Sequence, residues 1–285
     1  MRGFVRGHPV ASYYVLAFAI TSGAIVLVVG PKGLFGTAET ILVARIVGLS
    51  GPSVAGVVLT GFLEGRQGYR ALWSRLRRWR VGGRWYAVAL LTGPAVMAAS
   101  VFGLAVVDTS FVPAIVTDPN TLRLVGSALA AGALVGVFEE LGWTGFATPR
   151  LLERHSVLAT GLGMGVLWSI WHFPFFSGST DPAGAVPSWL LVTVMLCAWL
   201  PPYRVLMVWL YQRTESVLLV ILMHAPIVAC QYLLAAHLSG TGRVVLLLSW
   251  GIAFWTLALI ATRAATRSAI GAPAGRAPAP RQLVP

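Results

Sequence analysis

Two adjacent carboxylates and two histidines stand out because each lies within an apolar stretch of the sequence. Glu139 and Glu140 occur in GALVGVFEELGWTGF, His172 occurs in LWSIWHFPFF, and His224 occurs in VILMHAPIVA. Carboxylates and imidazoles are the side chains that most often transfer protons in catalysis, and their oxygen and nitrogen atoms also bind zinc. The four residues therefore predict a site that activates water for hydrolysis, holds a metal ion, or does both.

The composition indicates that these residues lie in a membrane protein. The chain has 285 residues, of which 57% are hydrophobic and only 11% are charged, whereas a soluble domain carries about 25% charged residues. A membrane-spanning helix needs roughly 20 mostly apolar residues. We therefore expect an all-α, polytopic integral membrane protein with about eight transmembrane helices. The candidate stretches are 10–30, 41–63, 85–107, 121–148, 157–176, 186–211, 215–238 and 243–262.

The position of the two glutamates inside a span carries an energetic cost. Two acidic residues at mid-span cost about 5–7 kcal/mol, and the Leu, Val and Phe residues between Thr121 and Phe138 return only about 2.4–4.8 kcal/mol. Both carboxylates must therefore face the protein interior or a wet cavity, where ionisable residues are functional by default. Because neighbouring residues on a helix point about 100° apart, Glu139 and Glu140 should have different roles.

Depth along the spans tests whether the histidines could reach the glutamates. A single histidine in an apolar helix is more often a packed residue than a ligand, but two such histidines beside two buried carboxylates favour a shared site. At about 1.5 Å per residue, Glu139 and His224 both lie roughly 13 Å from the nearer predicted ends of their spans. On the same scale His172 lies roughly 22 Å from Val157, which is too deep by several ångströms unless the helix begins later, near Gly161, or is tilted.

The distribution of positive charge predicts the orientation. Most of the 21 Lys and Arg residues fall on one side of the membrane if the spans alternate, and this side is cytoplasmic by the positive-inside rule. We expect a multi-pass protein of the inner (plasma) membrane with both termini in the cytoplasm. The net charge of +12 is explained by topology and by anionic lipid at the cytoplasmic face, so no nucleic-acid partner is expected. The arginine- and tryptophan-rich segment 66–84 is typical of a helix lying on that surface.

The domain organisation is predicted to be simple. Residues 1–263 form a single transmembrane helical domain with a catalytic core at about 121–238. Residues 264–285 are rich in Ala, Pro, Gly and Arg, and are expected to form a disordered cytoplasmic tail.

The three apolar stretches, in their order along the chain, resemble the motifs of a known family. EELGWTGF, LWSIWHFPFF and LMHAPIVA resemble those of the CAAX-prenyl protease type II and bacteriocin-processing (CPBP) intramembrane proteases, which include abortive-infection-like members. The resemblance implies that Glu139 activates the attacking water and that Glu140 is its partner. It further implies that His172 binds and polarises that water, and that His224 stabilises the oxyanion. A metal, if used, would be held by Glu139, His172 and His224.

Four supporting positions are Trp143, Thr144, Trp168 and Val228, and three of these depart from the family pattern. Thr144 replaces the motif arginine at i+4 from Glu140, so Glu140 should be protonated or paired with a distant arginine such as Arg204. Trp168 replaces phenylalanine and preserves a stacking wall. Val228 replaces asparagine and removes a hydrogen-bond donor, which predicts weakened activity.

The sequence leaves three functions open. The first is an intramembrane endopeptidase that cleaves a membrane-embedded or lipid-anchored peptide, either with zinc or without a metal. The second is a non-catalytic binding protein on the same fold, which the residues at 144 and 228 favour. The third is a proton-coupled carrier, because buried glutamates and histidines also form proton relays.

Overall fold

The computed structural model describes residues 2–30, 38–176, 179–181, 183–235 and 238–270, and this part of the chain contains no β-strand. A 3-10 turn at Thr109–Phe111 and a π-helical turn at Trp143–Ala147 interrupt the α-helices. The α-helices are α1 (Arg2–Gly7), α2 (Pro9–Val29), α3 (Ala38–Leu49), α4 (Gly51–Leu76), α5 (Gly83–Ala105), α6 (Ala114–Thr117), α7 (Thr121–Gly142), α8 (Thr148–Leu152), α9 (Val157–Phe176), α10 (Ser188–Cys197), α11 (Leu200–Thr214), α12 (Val217–Leu233) and α13 (Gly240–Ile270).

The all-α, multi-span architecture is confirmed, but the number of clear spans differs from the prediction. All eight predicted stretches contain helix, and six helical segments of the described chain are long and apolar enough to cross a membrane. The other two are α9 and α12. Helix α12 has only 17 residues, and α9 has 20 residues but includes His172 and Pro174. Helix α12 is therefore apolar but short, and the polar residues of α9 make it less apolar than an ordinary span. Each of the two helices carries one histidine of the predicted site.

The outer surface of the helical bundle is apolar, as the membrane setting requires. Leu27, Val15, Ile252 and Trp189 are each about 70% exposed or more. Side chains of this kind on a water-exposed surface would form large patches that soluble proteins rarely tolerate. The exposed aliphatic residues therefore face lipid, while the polar residues collect inside.

Glycines four residues apart bring the site-bearing helices close together. Gly132 and Gly136 on α7 face the backbone of α12, and a side chain at Gly132 would overlap the carbonyl oxygen of Ala225. Gly161 and Gly165 on α9 lie in the same way against α11. Small residues at this spacing let membrane helices approach at backbone distance. The glycines thus position α7, α9, α11 and α12 around one interior.

Helix α11 is the buried centre of the bundle. Almost all of its residues are buried, and it packs against α9, α12 and α13. Pro201 and Pro202 open the helix in its first turn, where a missing N–H costs nothing. The predicted span 186–211 is therefore two helices, α10 and α11, and the break places Arg204 one turn into α11.

Two predicted boundaries shift in the structure. The span that carries the glutamates continues through the π-helical turn and α8 to Leu152. At the other end of the chain, α13 continues to Ile270, past the predicted start of the tail at residue 264. Residues 271–285 lie outside the described part of the chain.

Candidate active site

Glu140 is the centre of a fully buried polar cluster that joins three helices. Its two carboxylate oxygens accept bonds from the two terminal nitrogens of Arg204, at 2.9 and 3.0 Å. The Nδ1 atom of His224 lies 2.8 Å from Oε1, and the hydroxyl of Thr144 donates to Oε2 at 2.5 Å. A buried carboxylate needs a charge partner and saturated hydrogen bonds. Glu140 has both, so the predicted pairing with Arg204 is present.

Glu139 sits in a different environment, formed by two indole rings. Its Oε2 atom accepts the N–H of Trp168 at 2.6 Å and the N–H of Trp143 at 3.2 Å. Its Oε1 atom accepts no hydrogen bond from the described residues and lies 3.7 Å from Nε2 of His172. The two carboxylates therefore have different surroundings, as their neighbouring positions on one helix predict. Glu140 is paired with a guanidinium, whereas Glu139 keeps one oxygen without a hydrogen bond from the described residues.

His172 is brought to Glu139, and its tautomer follows from its second bond. Nδ1 lies 2.9 Å from the carbonyl oxygen of Trp168. A carbonyl oxygen can only accept, so Nδ1 carries a proton and Nε2 of the neutral ring is an acceptor that points towards Glu139. The difference in depth that the sequence left open closes because the span of Glu139 continues to Leu152, about 20 Å away along the helix, and not because α9 begins later than Val157.

The π-helical turn at Trp143–Ala147 directs two of these contacts. It begins immediately after α7 and is followed by Pro149, which has no N–H and would clash with a carbonyl one turn earlier in a regular helix. The hydroxyl of Thr148 donates to the carbonyl oxygen of Trp143 within the turn. Widened turns of this type are frequent at functional sites. Here the turn presents Trp143 to Glu139 and Thr144 to Glu140.

Trp168 contacts four of the five ionisable groups of the site, namely Glu139, Arg204, His172 and His224. Besides its bond to Glu139, its ring lies 4.3 Å from the guanidinium carbon of Arg204. The ring also makes edge contacts with His172 and His224, at 5.1 and 5.4 Å between centroids. The sequence predicted a stacking wall at this position. The structure adds a hydrogen-bond donor that a phenylalanine could not supply.

A small cavity of about 70 Å³ lies beside this cluster. His172 and His224 contribute its polar wall, and Val228 lines it next to His224. The predicted loss of a donor at Val228 is therefore located at the cavity. Gln231, one turn further along α12, also lines the cavity and makes no hydrogen bond within the described residues. The remaining wall is apolar and aromatic, including Trp199 and Trp250.

The metal-ligand set differs from the prediction. Glu139, Glu140 and His224 place one ligand atom each within 4.8 Å of one another, so this buried group could hold a metal ion. His172, which the resemblance names as a ligand, is not part of that group, and its Nε2 atom lies 3.7 Å from Oε1 of Glu139. Both oxygens of Glu140 are also bonded to Arg204, and a metal there would lie beside a guanidinium charge.

Comparison with known proteins agrees with the motifs. Residues 121–230 match the family described as type II CAAX prenyl endopeptidase, Rce1-like. Residues 121–230 are therefore similar to the domain of this family. CAAX prenyl protease 2 from Methanococcus maripaludis is 30% identical over 106 residues, which is 36% of this chain and 38% of the relative. The chain thus matches less than half the length of this curated relative. The Rce1-like segment begins with α7 and ends within α12, so it contains the glutamates and both histidines.

Sequence reasoning identified the four ionisable residues of the Rce1-like domain and Arg204, which is the arginine lying inside the predicted span 186–211. It missed the indole donors of Trp143 and Trp168, although both lie at i+4 or i−4 from a site residue. A helical wheel places such residues on the same face, but it does not show which ring atom points inwards. Gln231 carried no signal apart from its polarity within an apolar helix.

Proposed function

We propose that this protein is an intramembrane endopeptidase in which Glu139, aided by His172, activates water to hydrolyse a peptide bond. The observation that carries the proposal is the pair formed by Glu139 Oε1 and His172 Nε2, 3.7 Å apart. Both atoms are acceptors, and the distance is beyond a direct hydrogen bond. One water molecule between them would donate one O–H to each atom and keep its lone pairs for attack on a carbonyl carbon.

The proton path follows from this arrangement. As the water oxygen bonds to the carbonyl carbon, Oε1 of Glu139 takes one proton and acts as general base. The same carboxyl then delivers that proton to the amide nitrogen when the C–N bond breaks. His172 holds the second water proton, and its ring is kept in place by the bond from Nδ1 to the carbonyl of Trp168.

His224 is proposed to stabilise the oxyanion. Its Nδ1–H donates to the carboxylate of Glu140, which leaves Nε2 for the cavity. Two carboxylates and one guanidinium leave a net charge of −1 in the cluster, and an imidazolium at His224 makes the buried set neutral. Neutral sets are favoured because an uncompensated buried charge is costly. A protonated Nε2 would donate to the developing oxyanion, an interaction worth about 2.7–4 kcal/mol in other hydrolases.

The substrate is proposed to be a membrane-embedded or lipid-anchored peptide, and more specifically a prenylated one. The support is the name of the relative, a CAAX prenyl protease, together with the membrane location of the site. The catalytic core proposed at 121–238 contains the matched domain. Residues 1–263 are proposed to act as one transmembrane domain, with residues from 264 onwards as a tail.

The surroundings of the site are proposed to face the cytoplasm, with both termini on that side of the inner (plasma) membrane. The arginine-rich segment 66–84, which includes the end of α4 and the start of α5, supports contact with anionic lipid. Trp73 and Trp79 are more than half exposed there, and Arg77 and Arg80 lie over their rings. Exposed tryptophan beside arginine is typical of the membrane interface. This use of the positive charge requires no nucleic-acid partner.

A metal-assisted version of the same reaction would use the buried carboxylate and imidazole groups. Oxygen and nitrogen atoms of these residues suit zinc, which would supply a Lewis acid and a more acidic bound water. The guanidinium of Arg204 on Glu140 favours the version in which Glu139 and His172 act on water directly. Elemental analysis of the purified protein, with peptide cleavage measured before and after chelation, separates the two versions.

A second candidate function is a non-catalytic peptide-binding protein. Val228 favours it because it places an apolar side chain at the cavity wall beside His224. Thr144 no longer favours it, since Arg204 supplies the missing charge. Turnover of a peptide by the purified protein, rather than binding alone, distinguishes the two functions.

The experiment that tests the proposed function compares membrane peptides from cells that express the wild type or Glu139→Ala. We expect peptides with new C-termini in wild-type membranes that are lost in the variant. Glu153→Ala is the matched control, since Glu153 is an exposed glutamate outside the site. Equal peptide profiles for the wild type and Glu139→Ala, with both proteins inserted at equal levels, would overturn the proposal.

A further inference from the structure

The carboxylate of Glu139 is held on one side by two tryptophans whose hydrogen-bond donation the motifs do not predict. The indole N–H groups of Trp168 and Trp143 both donate to the same oxygen, Oε2, at 2.6 and 3.2 Å. The carboxylate can otherwise rotate about its terminal bond, because such torsions are broad rather than restricted to narrow rotamers. Two donors on one oxygen restrict that rotation.

The two tryptophans are anchored independently of Glu139. Trp143 is almost fully buried and makes ring contacts with Tyr13 and Tyr14 of α2, at 5.5 and 5.6 Å. Trp168 is equally buried and is held by its ring contacts with Arg204 and the two histidines. The donors therefore come from two elements, the π-helical turn and α9, and their positions are fixed by packing. Residues locked in this way can hold a reacting group within a fraction of an ångström.

We infer that Trp143 and Trp168 form an indole clamp, which fixes the Glu139 carboxylate with Oε2 bound and Oε1 free towards His172. This inference rests on the proposed function, because it assigns the two indoles as positioning residues for the general base. The clamp sets which oxygen takes the proton from water. Without it the carboxylate can turn Oε1 away from Nε2 of His172, and the water loses one of its two acceptors.

Trp171 offers a matched control in the same helix. It is as buried as Trp168, and its indole N–H also makes one hydrogen bond, to the hydroxyl of Thr21 at 2.9 Å. Its N–H does not contact Glu139. Its ring packs edge-on against Trp143 and His172, at 5.8 and 4.8 Å between centroids. Trp171→Phe therefore removes an equivalent buried indole and hydrogen bond from the same surroundings, while both indole donors to Glu139 stay in place.

The activity test compares Trp168→Phe and Trp143→Phe with Trp171→Phe in proteoliposomes, using a fluorogenic farnesylated CAAX peptide as the probe. Because a misplacement of about 1 Å can cost a factor of about 100, we expect kcat to fall about 10- to 100-fold in Trp168→Phe. A smaller fall is expected in Trp143→Phe, whose hydrogen bond is longer. The KM should stay constant, since the loss concerns the transition state and not uniform binding.

A second variant removes only the donor and avoids the change in ring size. Replacement of Trp168 by 3-benzothienylalanine, introduced by nonsense suppression, substitutes sulfur for the indole N–H and keeps the bicyclic ring. We expect this variant to show the same loss of kcat, with a Tm no lower than that of Trp168→Phe. A wild-type kcat in this variant would overturn the positioning role, whatever the behaviour of Trp168→Phe.

A spectroscopic test does not depend on turnover. In protein labelled with ¹⁵N at the indoles of its eleven tryptophans, Glu139→Ala is expected to shift the N–H resonances of Trp143 and Trp168 and to leave that of Trp171 in place. Unchanged resonances of Trp143 and Trp168 would overturn the clamp itself. If the wild type fails to cleave the peptide, the proposed function fails, while the resonances still decide whether the clamp exists.

Discussion

The pairing of Arg204 with Glu140 gives the sharpest test of how the site is held together. Arg204→Gln removes the guanidinium and leaves the carboxylate of Glu140, which is fully buried between α7, α11 and α12. Loss of one partner from a buried ion pair costs about 3–5 kcal/mol, because the buried cluster is left with one uncompensated negative charge. At roughly 2–4 °C per kcal/mol for larger domains, the Tm in detergent should fall by about 6–20 °C.

The double variant Glu140→Gln/Arg204→Gln separates charge from packing. It removes both charges and keeps side chains of similar volume that can bond to each other, so most of the lost Tm should return. Arg45→Gln is the control, because Arg45 also lies within a helix but is exposed and donates only to the carbonyl of Phe175. We measure Tm by thermal denaturation of each purified variant. A Tm for Arg204→Gln equal to that of Arg45→Gln, or a double variant no more stable than the single one, would refute the reasoning.

The remaining predictions concern packing, the Thr144 bond and pH. Gly132→Ala should lower the Tm because its Cβ would overlap the backbone of α12, whereas Gly126→Ala on the same helix meets open space and should leave it unchanged or higher. Thr144→Val should lose about 1–3 kcal/mol of unfolding free energy, while Thr160→Val, whose buried hydroxyl has no partner within the described chain, should be neutral or stabilising; equal effects would contradict the assigned bond. The backbone N–H groups of Gly240, Ala183 and Val186 donate to the carboxylate of Asp181 and lower its pKa below the usual 3.8. Since the folded pKa is depressed, this stabilisation is complete above pH 3.8 and is lost as the pH falls further, so the Tm deficit of Asp181→Asn should be present at pH 7 and shrink below pH 3.8.

Much of the site could be predicted from the sequence because ionisable residues are rare in apolar helices. An ionisable side chain inside a span costs free energy, and this cost singles out Glu139, Glu140, His172 and His224. Arg204 was likewise a candidate partner because it lies inside a predicted span. A buried glutamate needs a positive partner, so a second charged residue inside a span can be predicted as that partner from the sequence alone. The apolar runs likewise predicted the all-α class.

The rest depended on helix geometry that the sequence does not encode locally. The depth of His172 relative to Glu139 could not be settled, because a π-helical turn and α8 extend the span that carries the glutamates to Leu152. Of the eight predicted stretches, six contain helices long and apolar enough to cross a membrane, and the other two are α9, which contains polar residues, and α12, which is shorter. The role of Trp168 was incomplete, since an aromatic residue at that spacing predicts packing, and only the ring orientation shows that its N–H reaches Glu139.

The central claim is that Glu139 transfers a proton from a water molecule that becomes part of the product. Its most direct test incubates the purified protein with a farnesylated CAAX peptide in H₂¹⁸O and follows the fragments by mass spectrometry. We predict one ¹⁸O atom in the new C-terminal carboxylate for the wild type, and no fragment for Glu139→Gln. Cleavage by Glu139→Gln at the wild-type rate, or a wild-type fragment without the isotope, would contradict the account.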